Sequence, residues 1–315
     1  MSQLTSTITT DRPAAGILDA ATLARARSAL MDLAELSKLR ITVMVAVTAW
    51  LGYQLGVADA GAMASASWLL LTATLVGTAW SCIGASVFNQ VMERDVDALM
   101  HRTRNRPLPA GRMAPRHALL YGLIAAAAGV TTLALFTTPL AAGLSAFTIA
   151  AYTFIYTPMK RTSPASTIVG AVPGALPPVI GYAAATNTVA APALAVFAIM
   201  FLWQLPHFYA IAWLYREDYA RAGMPMLPVL DPTGASTFRQ MLLYCAILVP
   251  VGMLPTFVGV SGMLYGVGAL VAGLTFMAFA VVLVRRRTRA AARAMFFASL
   301  VYLPAVLLLL CLDRV

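Results

Sequence analysis

The stretch LYGVGALVAGLTFMAFAVVLV (residues 264–284) is followed at once by RRRTR (285–289) and then by AMFFASLVYLPAVLLLLCL (294–312). The two long runs carry no Asp, Glu, Lys or Arg, and about 20 apolar residues suffice for a helix to cross the hydrocarbon core of a bilayer. A short basic run between two such segments is the pattern of a loop held on the cytoplasmic side, in contact with anionic lipid. Working outward on the same ruler, seven further apolar runs appear, at about 37–57, 67–91, 117–135, 139–157, 165–185, 190–213 and 241–260. The whole chain has 315 residues, 60% of them hydrophobic and 11% charged, against about 25% charged in a soluble domain. The expected fold is therefore all-α: a polytopic membrane bundle of nine spans, residues 35–315, preceded by a polar cytoplasmic tail, residues 1–34. That tail has no apolar core of the kind a cleaved signal peptide needs.

The net charge of +10 does not imply a nucleic-acid partner. Of 22 Lys and Arg, 21 fall in the tail, at the near end of the first run, or around 92–116, 158–164, 214–240 and 285–293; only Arg314 lies on the other side. Such asymmetry sets orientation. It places the N-terminus in the cytoplasm, the C-terminus outside, and polar chemistry on the cytoplasmic face. The three cysteines, Cys82, Cys245 and Cys311, lie within apolar runs without metal-binding or redox spacing, and they read as inert packing residues.

Three segments carry candidate chemistry. The first runs NQVMERDVD (89–97) into HRTRNRPLP (101–109). Asn89, Glu93 and Asp97 are spaced by four, so on a helix they drift only about 40° per step and share one face. Three oxygen-bearing side chains so placed suit Mg²⁺, which binds through one or two carboxylates plus substrate phosphate oxygens. Asp95 points to the other side and is left out of the metal set. Arg102, Arg104 and Arg106 follow, and guanidinium forks match diphosphate oxygens. Solubility alone does not require arginines beside carboxylates in this way.

The second segment is YTPMKR (156–161). Lys160 could neutralise a leaving diphosphate, although a lysine at a span end also snorkels without further purpose. The third is WQLPHFY (203–209), continuing to YREDY (215–219). Gln204 and His207 stand at i, i+3 beside Pro206, where a bend would turn both toward a cavity. His207 is either a hydrogen-bonded interhelical histidine or a substrate-facing ligand or base. Trp203, Phe208 and Tyr209 are either an interfacial belt or a pocket wall that steadies a carbocation; Trp213 and Tyr215 read as belt.

On these segments, together with STIVGAVPGALPPVIGY (166–182) and QLPHFYAIA (204–212), the chain resembles the UbiA-type intramembrane prenyltransferases, and within them the branch that farnesylates haem. The likeness extends over roughly residues 35–312. It implies helices around a central cavity, Mg²⁺ as cofactor, farnesyl diphosphate as donor, haem B as acceptor, and haem O as product, in a bacterial cytoplasmic (inner) membrane. A haem A synthase or a terminal oxidase would use the product. Asn89, Glu93 and Asp97 match the superfamily's first acidic motif, and Tyr156 and Lys160 its YxxxK. The second acidic motif is not matched; the chain has Arg216-Glu217-Asp218 there. The candidate sets are then Lys160, Tyr156 and His207 for catalysis; Arg102, Arg106, Lys160, Arg161 and Arg216 for diphosphate; Asn89, Glu93, Asp97 and Asp218 for metal; and Gln204, His207 and Trp203 for haem. Two alternatives stay open at this stage. One is a sister enzyme with a phenolic or quinone-precursor acceptor; the other is a non-catalytic haem or lipid carrier.

Overall fold

The computed structural model describes residues 20–60 and 67–314. Residues 1–19 of the expected tail lie outside the described residues; the rest of it forms the helix Ala20–Leu36. Among the described residues nine helices are long and apolar enough to cross a membrane: Leu39–Asp59, Trp68–Asp97, Pro115–Phe136, Pro139–Met159, Ser166–Thr186, Ala191–Leu214, Ala235–Phe257, Met263–Arg286 and Arg289–Leu312. They are called here the first to ninth spans. The second runs on to Asp97 without a break, so the 89–97 motif is the last part of a membrane helix rather than a separate loop.

The spans pack through small residues. A lipid-facing bundle gains little from burying apolar area helix against helix, so close backbone approach takes over as the source of packing energy. The first and fifth spans show it best. A Cβ on Gly52 would collide with the Pro178 backbone, and one on Gly181 with the Ala49 backbone. The fifth span is the most enclosed of the nine, and the third, seventh and eighth are the least. It is also broken: helix Ser166–Ala175 gives way at Leu176 to Pro177–Thr186, because Pro177 and Pro178 supply no N–H to the helical ladder.

One other irregularity positions the site. The fourth span contains a π-helical turn, Ala151–Tyr156, the kind of local insertion that re-aims side chains. The sixth span, by contrast, runs as one helix from Ala191 to Leu214 through Pro206. The helix Ala20–Leu36 is clipped to the loop after the second span. Arg112 reaches Asp32 at 2.8 Å and Glu35 at 3.0 Å, and Leu36 is buried beside Val87, Leu108 and Ala118. At the opposite ends of the spans, Arg314 donates to the Gln54 carbonyl at 2.9 Å.

Candidate active site

At the end of the bundle where the second span finishes, the first, second, fourth, fifth and sixth spans surround an open cavity of about 580 Å³. Its polar wall comes from the 89–97 helix end. Asn89, Glu93 and Asp97 are all nearly inaccessible and all line it, as the four-residue step requires. Asp95 falls on the outer face, exposed and, among the described residues, paired only with Arg94.

All but one of the oxygens described here meet a cation or a donor. Glu93 forms an ion pair with Lys160. Asp97 Oδ2 accepts from Arg106 at 2.7 Å, and the Asp97 carbonyl accepts from Thr103 Oγ1 at 2.8 Å, which ties the arginine loop to the helix end. Asn89 donates to Thr157 Oγ1 at 3.1 Å and accepts from Lys38 Nζ at 3.3 Å. Asp97 Oδ1 is buried and has no hydrogen-bond partner among the described residues. An unpartnered carboxylate oxygen in a charged wall is costly unless a ligand completes it. The all-oxygen set of Asn89, Glu93 and Asp97 fits a hard divalent cation shared with substrate phosphates. Among the described residues no three His, Cys, Asp or Glu converge as a preformed protein-only metal cage.

Cations and aromatics line the rest of the mouth. Lys160 Nζ lies 5.0 Å from the centre of the Tyr156 ring. Burial works against its ammonium, but Tyr156 and Glu93 outweigh that and hold its pKa above the ordinary lysine value. Arg102 lies over Tyr215 at 5.2 Å and Tyr219 at 5.8 Å. Gly170 lets the Tyr156 ring lie flat on the fifth span, and Gly174 leaves room for the Gln204 amide. Gln204 Nε2 then donates to the Ala171 carbonyl at 3.2 Å. A second, apolar pocket of about 120 Å³ continues inward between the first, second, fourth and fifth spans. The two share Lys38, Ile41, Val45, Tyr152 and Gly174.

The cavity thus brings together Asn89, Glu93, Asp97, Arg102, Arg106, Tyr156, Lys160 and Gln204. Five expected residues lie elsewhere, and the expectation is corrected for each. Asp218 does not line the cavity. Its oxygens accept from the backbone N–H groups of His101 at 3.3 Å and Arg102 at 3.4 Å, and from Arg221 at 2.8 Å. Burial raises its pKa, but these donors outweigh burial and hold the carboxyl below the usual range; Asp218 is a clip for the arginine loop. Arg161 donates to the Met92 carbonyl at 2.5 Å, and Arg216 folds over Trp213 at 4.6 Å. Trp203 donates to the Ser299 carbonyl at 2.8 Å, and His207 meets Ser299 Oγ at 2.6 Å. On an unbroken helix the step from 204 to 207 is about 300°, so the histidine sits some 60° from the glutamine face. Phe208, at four, keeps to the cavity, and Trp203 and His207 turn to the ninth span.

Sequence reasoning missed Lys38 and Tyr152. Lys38 adopts a left-handed conformation, φ 45°, that ends the N-terminal helix and swings its ammonium into the cavity wall. Burial, then Arg106 and Lys160, lower its pKa to about 8. The available signal was scarcity, since the chain has only two lysines. Tyr152 lies one helical turn before Tyr156 and shares its face.

A family model described as the UbiA prenyltransferase family matches residues 43–301. The chain belongs to the UbiA prenyltransferase family. A protoheme IX farnesyltransferase of Solibacter usitatus is 46% identical over 289 residues, covering 90% of this chain and 99% of that protein. The protein of the same name from Koribacter versatilis is 40% identical, covering 91% and 94%, and the mitochondrial one from Arabidopsis thaliana is 38% identical, covering 89% and 64%. Among solved structures, a digeranylgeranylglyceryl phosphate synthase superposes with a TM-score of 0.74 at 16% identity, covering 90% of this chain and 98% of that one. A UbiA homologue from Archaeoglobus fulgidus bound to DMAPP and Mg²⁺ superposes with a TM-score of 0.62 at 14% identity, covering 89% and 99%. At these identities the structural likeness establishes the fold.

Proposed function

We propose that the chain transfers the farnesyl group of farnesyl diphosphate to a vinyl group of haem B. Water adds to the acceptor, and the products are haem O and diphosphate. The observation that carries this is the cation-ringed carboxylate wall at the mouth of an apolar pocket, in a chain so similar to proteins named for that reaction. The donor's diphosphate would lie among Arg102, Arg106, Lys160 and Lys38, and its isoprenoid chain would run into the pocket beside Ile41, Val45 and Ile180. Asn89, Glu93 and Asp97 would hold Mg²⁺, which supplies charge to stabilise the leaving diphosphate.

As the donor's C1–O bond breaks, Lys160 and the arginines take up the charge developing on the bridging and terminal oxygens. Tyr152 and Tyr156 present ring faces toward the allylic cation, while the apolar walls exclude water from it. The terminal carbon of the vinyl forms the new C–C bond. The cation left beside the porphyrin takes hydroxide from water, and one proton is released to solvent.

We assign residues 35–315 to the transferase domain and residues 1–34 to a cytoplasmic tail, in a bacterial inner membrane with the N-terminus inside. A haem A synthase or a terminal oxidase would take the product. Reporter fusions after Thr188 and Val315 should report the external side, and a cytoplasmic signal from either refutes the nine-span orientation. The activity is tested by expressing the protein in a host lacking haem O and weighing the extracted haem. Haem heavier by farnesyl plus water supports transfer. Unchanged haem B supports a carrier, and a prenylated phenol or quinone precursor supports the sister enzyme.

A further inference from the structure

We infer that an anionic phospholipid docks in the crevice between the sixth and ninth spans, its phosphate held by Arg289 and Arg293, and that this lipid steadies the donor site through Tyr215 and Arg102. The crevice has a volume of about 210 Å³ and is walled by Ile211, Leu214, Arg289, Arg293, Phe296 and Phe297. Arg289 and Arg293 stand four apart at the start of the helix Arg289–Leu312, and both are exposed. Like charges at that spacing repel each other, and the positive end of the helix dipole adds to the cost. The first turn is already capped by Thr288 Oγ1, which accepts from the Ala291 N–H at 3.2 Å, so the free donors here are the two guanidinium forks. Among the described residues neither arginine forms an ion pair, and Arg289 donates to the Leu214 carbonyl at 3.4 Å. Two forks side by side fit one phosphodiester, and basic pockets between membrane helices are where anionic headgroups bind. Below the arginines the same helix turns apolar. Phe297, Leu300, Val301 and Leu308 are all exposed, and they share with the arginines an arc of about 120°. A charge pair above an apolar stripe has the outline of a phospholipid, which a free phosphate does not need.

A second pocket, of about 420 Å³, adjoins the crevice and shares Leu214, Tyr215 and Arg289 with it. Arg102, Arg221 and His101 line it, and so do Glu217 and Asp218. Across the two pockets four arginines, Arg102, Arg221, Arg289 and Arg293, face two carboxylates, so together they select an anion. Asp218 is spent on Arg221 and on the arginine loop, which leaves Glu217 to accept from a hydroxyl-bearing headgroup such as glycerol. The link to the donor runs through Tyr215. It lines both pockets, and its ring carries Arg102 at 5.2 Å. Arg102 in turn lines the headgroup pocket on one side and the donor cavity on the other. Arg106 is held by the Asp97 carboxylate. The Arg102 side chain rests instead on the rings of Tyr215 and Tyr219 and on the Tyr219 hydroxyl, at 3.4 Å. A lipid that fixes Tyr215 therefore fixes a diphosphate-binding arginine that no acid among the described residues holds.

The protein is placed in nanodiscs of phosphatidylcholine, with or without added phosphatidylglycerol, and titrated with farnesyl thiodiphosphate and Mg²⁺. The wild type should bind the analogue roughly fivefold or more tightly when phosphatidylglycerol is present, the lower range for coupled sites. Arg289→Gln with Arg293→Gln should bind it in both membranes at the wild type's phosphatidylcholine affinity, which also certifies the fold. Arg285→Gln with Arg286→Gln removes the same charge from the same loop outside the crevice, and it should keep the full response. Native mass spectrometry of protein released from the mixed nanodiscs should find one phosphatidylglycerol on the wild type and on the 285/286 variant, and none on the 289/293 variant. If that double variant does not fold, Arg293→Gln, at an exposed position, carries the comparison alone. Equal affinity in the two membranes overturns the proposal. So does a 285/286 variant that behaves like the 289/293 one, which would make the effect a general surface attraction. Displacement of the lipid by soluble glycerophosphate also overturns it and gives the arginines to free phosphate. A protein indifferent to lipid charge that still makes haem O loses this site and keeps the activity; an intact lipid response without haem O does the reverse.

Discussion

The end of the second span and the middle of the sixth each place polar side chains at membrane depth, and the two differ in step. On the second span the step is four, and Asn89, Glu93 and Asp97 all reach one cavity. On the sixth it is three, and Gln204 and His207 serve different neighbours, the fifth span and the ninth. From Asn89 to Asp97 the drift adds up to about 80°, more than the roughly 60° between Gln204 and His207, so the angle alone does not divide the second pair; the packed neighbour at its boundary does. Polar residues in a span are thus assigned by the helix that packs beside them as much as by their spacing.

The sharpest way to break the comparison is at Asp97. Its carboxylate is buried, one oxygen unpartnered and the other held by Arg106. Asp97→Ala should lower kcat/KM by roughly 10³-fold, the upper range for losing a preorganised electrostatic group. Lys160→Met should cost somewhat less, roughly 10²-fold, mainly in kcat, because its charge matters most as the diphosphate leaves. Steady-state kinetics in detergent check both, and a pure KM effect at Lys160 would move it from the reaction to donor binding.

Lys38 sharpens the same wall through pH. Its pKa of about 8 lies below the ordinary lysine value, so the free enzyme loses this positive charge as pH rises through about 8. The kcat/KM for farnesyl diphosphate should fall over that range, and Lys38→Arg should remove the fall, since a guanidinium stays charged. A limb unmoved by Lys38→Arg belongs to another group. The smallest effect is expected at Asp95, on the outer face. Asp95→Ala should change activity by less than about threefold, as for other exposed ion pairs. Inactivity of a well-folded Asp95→Ala protein would refute the division of the helix into an active and an inert face.

The nine spans were legible because twenty apolar residues in a row have few other uses. The carboxylate face was legible because its period is that of one helix. What stayed hidden depended on tertiary placement. Lys38 looks like an interfacial lysine until its left-handed backbone turns it inward. Asp218 looks like a metal ligand until the His101 and Arg102 N–H groups claim its oxygens. Pro206 marks a kink in many helices, yet here the span continues through it, and His207 keeps to the ninth span.

The most direct measurement is metal-dependent binding of a non-hydrolysable farnesyl thiodiphosphate to the purified protein, by calorimetry, with wild type and Asp97→Asn compared. The wild type should bind the analogue tightly only with Mg²⁺, and Asp97→Asn should lose that dependence while its haem spectrum stays unchanged. Undiminished Mg²⁺-dependent binding by Asp97→Asn would contradict the assignment of this wall to the donor.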